Sequence, residues 1–285
     1  MSITRNQNLG SSQVRARRRR LFLIRLSIIV FLILVLIFSL AILSGHEKVK
    51  IKTITITGNA LVSNNEIFAI INRDIAGRYF YLFSKSNSLI FPRFKINEDI
   101  LKEITAVKDL DIKWDSWQTI LVSIEERKPH SVWCGEDIKA PLVDCYFVDN
   151  GGYIYGQAPV FSGNIFIKDF GTTTPLLNNV SMDKYIGNYF LPREEYIQVY
   201  SLIQRLDQNG IKAVSLFFDG FDFRLILEAG PEVIFNNKNN LEVSFQNFFT
   251  AIQTGDLNLG RDVLDINYID LRFDNKIVIG KKSIR

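Results

Sequence analysis

The sequence has few of the residues that commonly catalyse reactions or hold metal ions. It contains only two histidines and two cysteines among 285 residues. This scarcity argues against an all-protein zinc site, which needs three or four such ligands. The sequence also has no Walker loop, no G-x-S-x-G nucleophile elbow and no H-E-x-x-H motif. We therefore interpret the chain as a non-enzymatic protein and expect no catalytic residue, no cofactor, no metal and no small-molecule substrate.

Acidic residues are missing from the first 46 positions, which contain seven arginines. Setting these arginines aside leaves 27 basic against 30 acidic residues, so the rest of the chain has a net charge of −3, although the whole chain has +4. The basic excess belongs to a short N-terminal arm, residues 1–20. A nucleic-acid-binding role for the whole chain loses most of its support, and we expect no nucleic-acid partner.

The arm is followed by a run of 20 residues without any charge, Leu26 to Gly45. At about 1.5 Å per residue, a helix of this length spans roughly 30 Å, the thickness of the hydrocarbon core. The sequence therefore predicts a transmembrane anchor at residues 21–45. The positive-inside rule places the arginine arm in the cytoplasm and the bulk of the chain outside it. A cleaved signal peptide is the alternative, but its apolar region is usually shorter, at about 7–15 residues.

Both cysteines, Cys134 and Cys145, lie on the extracytoplasmic side of this anchor. Cysteines in such oxidising compartments commonly form disulfides. Closing a loop this short stabilises a fold by about 3 kcal/mol in the chain-entropy model. We expect a disulfide between the two residues, and a pair of free thiols is the alternative.

The pattern of residues 48–129 predicts a small α+β domain. β-branched residues alternate from Val49 to Thr57, and Ser63 then begins a capping box before an amphipathic helix. A second helix is predicted to start near Asn97, and two strands follow it. The element order is β-α-α-β-β, with both helices packed on one face of a three-stranded sheet. An aromatic-rich insertion, Arg78 to Ile96, interrupts this pattern.

Residues 130–285 predict a second, β-rich domain that also contains helices. Asn150-Gly151 is a hairpin signal, and a helix is predicted between Pro192 and Gly210. The stretch LEVSFQNFFTAIQTG predicts another helix with an aromatic stripe, which we interpret as core. The last strand is predicted to run from Ile266 to Ile279, with the letters DNK marking a turn or bulge.

The stretch ILVSIEERKPHSVWC places Glu125 and Glu126 beside Arg127 at the end of a predicted strand. Adjacent residues on a strand point to opposite faces. A glycosidase, in contrast, needs two carboxylates that converge on one cleft. We interpret this charged corner as solvated or salt-bridged, and not as a catalytic acid pair.

Several motifs, in their order and spacing, resemble the FtsQ/DivIB family of bacterial cell-division proteins. The stretch ITITGNALVSNNEI, the two helices and ILVSIEERKPHSVW are similar to a POTRA domain of this family, with its signature at Glu126-Arg127-Lys128-Pro129 and Trp133. CYFVDNGGYIY resembles the hairpin that follows this domain in the family, and INYIDLRFDNKIVI resembles the closing strand. The resemblance covers about residues 20–280. The aromatic insertion and the cysteine pair depart from the family pattern.

The resemblance implies a scaffold of the bacterial divisome that crosses the inner membrane once and gathers at the septum. Such a scaffold recruits FtsB/FtsL-like single-pass coiled-coil proteins, links early and late division proteins and helps regulate septal peptidoglycan synthesis. In the family, the partner docks on the C-terminal strand and on the residues just after the D-L-R motif. Carried over by position, the predicted partner-binding residues are Phe273, Asp274, Asn275 and Lys276. A packed strand position without a binding role is the alternative for Phe273.

Two other function classes stay open at this stage. A POTRA-containing accessory protein of envelope protein transport or assembly would share the anchor and the first domain. A cell-wall enzyme would need a nucleophile or a metal constellation, and neither is visible in the sequence.

Overall fold

The chain is a mixed α+β protein with one long N-terminal helix. The computed structural model describes residues 11–139, 144–161, 163–173, 185–236, 241–255, 257, 265–273 and 276–282. The helices are α1 (Ser11–Ser44), α2 (Asn64–Ile75), α3 (Arg93–Glu103), α4 (Arg193–Gln208) and α5 (Leu241–Gln253). The strands are β1 (Thr53–Thr57), β2 (Arg78–Tyr79), β3 (Phe83–Ser84), β4 (Val107–Ser116), β5 (Thr119–Glu126), β6 (Ser131–Trp133), β7 (Cys145–Val148), β8 (Ile154–Ala158), β9 (Lys168–Gly171), β10 (Ala213–Phe218), β11 (Asp222–Leu227), β12 (Glu232–Asn236), β13 (Ile266–Asp270) and β14 (Val278–Lys281).

The chain divides into two compact units. The first unit comprises Met1–Leu101 with Asp109–Glu125, and the second comprises Lys102–Lys108 with Glu126–Arg285.

Helix α1 of the first unit is long and apolar enough to span a membrane, over Arg15–Ser44. Its large apolar side chains between Leu21 and Leu43 are exposed by the protein's own fold. Exposed apolar surface of this extent is unusual on a water-soluble protein. Ser44, at the end of the helix, is buried instead.

The rest of the first unit follows the element order β-α-α-β-β, with the hairpin β2–β3 inserted between the helices. Its three-stranded sheet has the order β1-β5-β4, and β1 runs parallel to β5 with Ile54 opposite Ile120. Helices α2 and α3 and the sheet supply the buried apolar side chains, which are Ile67, Ile70, Ile71, Ile75, Ile96, Ile100, Val107, Leu110, Ile112, Ile120, Val122 and Ile124.

Two local details of this unit differ from the sequence-based expectation. In a capping box, the N-cap oxygen accepts the N–H of the third helical residue. The Oγ of Ser63, the N-cap of α2, accepts the N–H of the second helical residue, Asn65, at 3.2 Å. Helix α3 begins at Arg93, before the predicted start near Asn97, because the Pro92 carbonyl accepts the Ile96 N–H at 3.0 Å. Ile96, assigned to the insertion from the sequence, is therefore a completely buried helical residue.

The second unit is built on a nine-stranded mixed sheet in the order β14-β13-β12-β11-β10-β9-β6-β7-β8. Strand β9 runs parallel to β6 and to β10, and β12 runs parallel to β13. Helices α4 and α5 bury their apolar faces in one continuous core with this sheet, whose largest completely buried side chains are Trp133, Phe190, Tyr196, Phe223, Phe235, Phe245 and Phe248.

The predicted final strand, Ile266 to Ile279, is divided into two strands, and the letters DNK, predicted to mark a turn or bulge, fall between them in the chain. The chain forms β13 and then returns as β14, antiparallel to it, with Ile269 opposite Ile279. The Arg272 N–H donates to the Asp270 side chain at 3.0 Å, a local contact that favours a turn over continued extension.

Candidate functional site

The C-terminal end of the nine-stranded sheet is an exposed strand edge. Within the described residues, β14 pairs only with β13, so its other side carries no strand. Ile279 on this strand has 38% of its surface exposed. Gly280 lies opposite Tyr268, and a Cβ at this glycine would overlap the tyrosine ring. The glycine therefore lets the Tyr268 ring pack across the edge strand.

The direction of the backbone groups on β14 follows from one hydrogen bond. The Lys282 N–H donates inward, to the Asp265 carbonyl at 2.7 Å. Successive residues of an antiparallel strand direct their N–H groups to opposite sides. The Lys281 N–H therefore points to the open edge, where it can donate to an added strand. Lys276, Lys281 and Lys282 make this edge basic.

The segment before β14 is held by a charged cluster centred on Arg272. The Arg272 guanidinium donates to Asp270 at 2.6 Å and to Asp222, at the start of β11, at 2.7 Å. Partial burial opposes ionisation of Asp270, but the hydrogen bonds and charge of Arg272 outweigh it and lower the pKa of this carboxyl. The same contacts raise the pKa of Arg272. The D-L-R motif therefore fixes the turn between β13 and β14.

Two of the four predicted partner-binding residues, Phe273 and Lys276, are described by the structure and lie between β13 and β14 in the chain. Phe273 follows Arg272, outside β13, and 43% of its surface is exposed. The Lys276 Nζ lies 5.0 Å from the centroid of the Phe273 ring, a cation–π distance. Asp274 and Asn275 lie outside the described residues. The structure thus brings Phe273 and Lys276 together, and Lys276 lies two positions before β14 in the chain.

The two cysteines lie on neighbouring strands of the same unit. Cys134, which directly follows β6, and Cys145, the first residue of β7, form a disulfide with their Cα atoms 4.2 Å apart. Strands β6 and β7 pair with Trp133 opposite Tyr146. The disulfide joins the next two residues in this register, Cys134 and Cys145. The disulfide therefore ties two strands of the sheet together.

The charged corner at the end of β5 is a packed ionic contact. The Arg127 guanidinium forms an ion pair with Asp149, which follows β7, and its Nε donates to the Thr105 carbonyl at 3.0 Å. The guanidinium also lies over the Tyr153 ring, 4.1 Å from its centroid. Asp149 accepts the N–H groups of Gly151 at 2.8 Å and of Tyr153 at 3.1 Å. The corner is therefore salt-bridged at Arg127, with the partners of a structural arginine.

A buried polar cluster in the second unit joins two strands to a helix. Ser131 of β6 donates to Asp169 of β9, and Tyr200 of α4 donates to the same carboxyl at 2.7 Å. The Tyr196 hydroxyl lies 3.0 Å from Ser131 Oγ and 3.0 Å from His130 Nδ1. Burial raises the pKa of Asp169 to about 7, although the hydrogen bonds from Ser131 and Tyr200 favour its charged form.

Sequence reasoning missed this cluster because its members are far apart along the chain. Tyr196 and Tyr200 lie in the helix predicted between Pro192 and Gly210, and Asp169 lies within the short stretch FIKDFG. The available signals were a charged residue inside an apolar strand and two tyrosines four positions apart on the buried face of one helix.

The chemistry that this cluster can perform is limited by access and geometry. A pocket of about 470 Å³ is bordered by His130, Tyr200 and Lys212. Ser131 and Asp169, however, are completely buried. His130 contacts Tyr196, and the described contacts give Ser131 no base of the kind that nucleophilic catalysis requires. The cluster is best explained as a polar network that holds α4 on the sheet.

The exposed edge of β14 is thus the described feature best suited to a function. Among the residues that the structure describes, no group of three or more His, Cys, Asp or Glu side chains could hold a metal ion. Comparison with protein-family models and with curated proteins finds no match to this chain.

Proposed function

We propose that the chain is a single-pass membrane scaffold of the bacterial divisome, of the FtsQ/DivIB type, which binds its partners through the edge of β14. The observation that carries this proposal is the open strand edge of β14, which is preceded in the chain by the exposed Phe273. An extended partner segment adds as a tenth strand, its backbone pairs with the edge, and its side chains provide specificity.

The chemistry of the edge indicates the kind of strand that fits it. The outward N–H of Lys281 offers a backbone donor, and Ile279 and Phe273 offer apolar contact. Lys276, Lys281 and Lys282 favour a partner segment that carries acidic residues, since complementary charges steer association and fix the register of pairing. Such a segment is expected in an FtsB/FtsL-like protein just outside the membrane.

The first unit supports the same proposal. A spanning helix, followed by the order β-α-α-β-β and a sheet in the order β1-β5-β4, is what a membrane-anchored POTRA domain requires. With its N-terminus in the cytoplasm, the scaffold would hold both units outside the cell membrane. There it would connect early and late division proteins and help regulate septal peptidoglycan synthesis.

The location of the full-length protein in living cells tests the divisome assignment. A fluorescent fusion to the N-terminal arm is expected to concentrate at midcell during constriction. A uniform envelope signal throughout the cell cycle would contradict the assignment. A role as an accessory protein of envelope protein transport or assembly would then be the better account, since that role needs the anchor and the POTRA domain but no septal enrichment.

A further inference from the structure

The hairpin β2–β3, the core of the aromatic insertion, presents two nearly bare aromatic side chains. Phe80 is 88% exposed and Tyr81 is 94% exposed, at the turn between the two strands. Both residues have positive φ, at 48° and 62°. The left-handed region is unfavourable for bulky non-glycine residues, and such strain clusters at functional sites. The fold thus displays two aromatic rings at a local cost in stability.

The base of this hairpin is fastened to the end of the membrane-spanning helix. The Ser84 N–H donates to Ser44 Oγ at 3.2 Å, and the Asn87 side chain donates to the Ser44 carbonyl at 3.0 Å. All three residues are buried. The last residue of α1 is therefore packed against the hairpin, and a flexible linker does not separate the two.

Further backbone hydrogen bonds fix the same segment to the chain that leaves the helix. The Ile51 N–H donates to the Ser86 carbonyl at 2.8 Å, and the Ser88 N–H donates to the Val49 carbonyl at 2.9 Å. These bonds hold residues 84–88 beside the exit of α1.

The distance from this attachment to the exposed rings is short. Tyr81 lies three positions from Ser84, which is at most about 10 Å of extended chain. The headgroup region of one leaflet is about 5–8 Å thick, given a hydrocarbon core of about 30 Å in a bilayer of about 40–45 Å. Since α1 leaves the hydrocarbon near Ser44, the hairpin tip lies within reach of the headgroups.

The side chains around the tip match the chemistry of a membrane surface. Leu89 is 60% exposed and Ile90 is 41% exposed, and these two residues directly follow Ser88, which binds the Val49 carbonyl. Arg78 and Lys85 flank the hairpin, and the Lys85 Nζ lies 5.6 Å from the centroid of the Tyr79 ring. Aromatic side chains concentrate at membrane–water interfaces, and nearby cations attract anionic headgroups.

We propose that this hairpin is a second membrane contact, in which Phe80, Tyr81 and Leu89 insert into the headgroup region of the outer leaflet. The contact adds to the anchor and limits rotation of the first unit about the end of α1. The occupant is the lipid bilayer itself, because the attachment to Ser44 keeps the exposed rings at the membrane whenever α1 spans it.

Depth-dependent quenching in a reconstituted bilayer tests this proposal. The full-length protein is placed in nanodiscs of phosphatidylethanolamine and phosphatidylglycerol, with the disulfide kept oxidised. The substitution Tyr81→Cys then provides the one free thiol, which carries an environment-sensitive fluorophore. The matched control is Leu61→Cys. Leu61 is 86% exposed in the wild type and follows the C-terminal end of β1, whereas the Ile51–Ser86 hydrogen bond lies before the N-terminal end of this strand.

We expect the label at position 81 to emit at shorter wavelength than the label at position 61, and to lose fluorescence when spin-labelled lipids are added. A third variant, Leu89→Cys, leaves both aromatic rings in place and is expected to behave like Tyr81→Cys. If the labels at 81 and 89 are quenched no more than the label at 61, the hairpin stays in water and the proposal is overturned. If the hairpin instead binds a protein partner, the labels at 81 and 89 are expected to be quenched no more than the label at 61.

Discussion

Arg127 and Asp149 form a buried ion pair, with only 17% and 5% of their side-chain surfaces exposed. Arg127 follows the last residue of β5, and Asp149 begins the turn between β7 and β8. The pair is completed by the Thr105 carbonyl and the Tyr153 ring. Arg127, in the charged corner at the end of β5, therefore serves packing in the second unit.

Removing this arginine should destabilise the protein strongly. Arg127→Ala leaves Asp149 buried without its cation, which typically costs about 3–5 kcal/mol. We expect a loss in that range in denaturant unfolding of the detergent-solubilised protein. Lys128→Ala, at the exposed neighbouring position, is the control and should change stability little. Equal, small effects of the two substitutions would contradict the packing role of Arg127.

The buried carboxyl of Asp169 should make stability fall as the pH rises. Its pKa is about 7 in the folded chain against an ordinary value of 3.8. Such a group contributes fully below the unfolded pKa, and the contribution is lost as pH rises through the folded pKa. We expect Asp169→Asn, which cannot ionise, to gain stability relative to the wild type between these two values.

The measurement is thermal unfolding of both proteins across this pH range, followed by the fluorescence of the buried Trp133. Other carboxyls oppose the trend, since the pKa values of Asp99 and Asp270 are lowered by their cationic neighbours. The difference between the two proteins removes their contribution. A difference that does not change with pH would contradict a raised pKa for Asp169.

The disulfide should contribute measurably to the stability of the second unit. Replacing Cys134 and Cys145 together by serine is expected to cost about 3 kcal/mol, because the unfolded chain regains the freedom of an open loop. Reducing the wild-type protein should cause a similar loss and should leave the double variant unchanged. Mass spectrometry that finds both thiols free in the native protein would contradict the bridge.

Pairing through the edge of β14 makes a specific prediction for Lys281. Lys281→Pro removes the outward N–H, and an edge position that follows Gly280 can accept proline without disturbing the inner ladder. We expect partner affinity to fall about tenfold or more, since one lost hydrogen bond of about 1.4 kcal/mol has that effect. Lys281→Gln removes the charge but keeps the N–H, and should retain most of the affinity. Equal affinities of the two variants would exclude backbone pairing at this residue.

The sequence predicted the elements whose pattern is local. The long apolar N-terminal helix, the cap at Ser63 and the helix that ends before Gly210 follow from hydropathy, capping and periodicity, and the structure confirms them. The early start of α3 was missed because Ile96 was assigned to the aromatic insertion. Its burial depends on tertiary packing and leaves little trace in the local pattern.

The letters DNK predicted a turn or bulge near the break between β13 and β14, but a linear pattern could not decide between one bulged strand and two strands. Arg272 binds Asp270, two positions earlier, and Asp222, from another part of the chain. The polar cluster at Asp169 was missed for the same reason, since it joins β6, β9 and α4. Contacts between residues far apart in sequence decide both features.

Affinity purification of the full-length protein from its own membranes tests the central claim most directly. Wild type is compared with Phe273→Glu and with the control Phe221→Glu, which changes an exposed phenylalanine, 69% accessible, at the turn between β10 and β11. The account predicts small single-pass coiled-coil partners with the wild type and the control, and their loss with Phe273→Glu. Partners retained equally by Phe273→Glu, or absent even from the wild type, would contradict it.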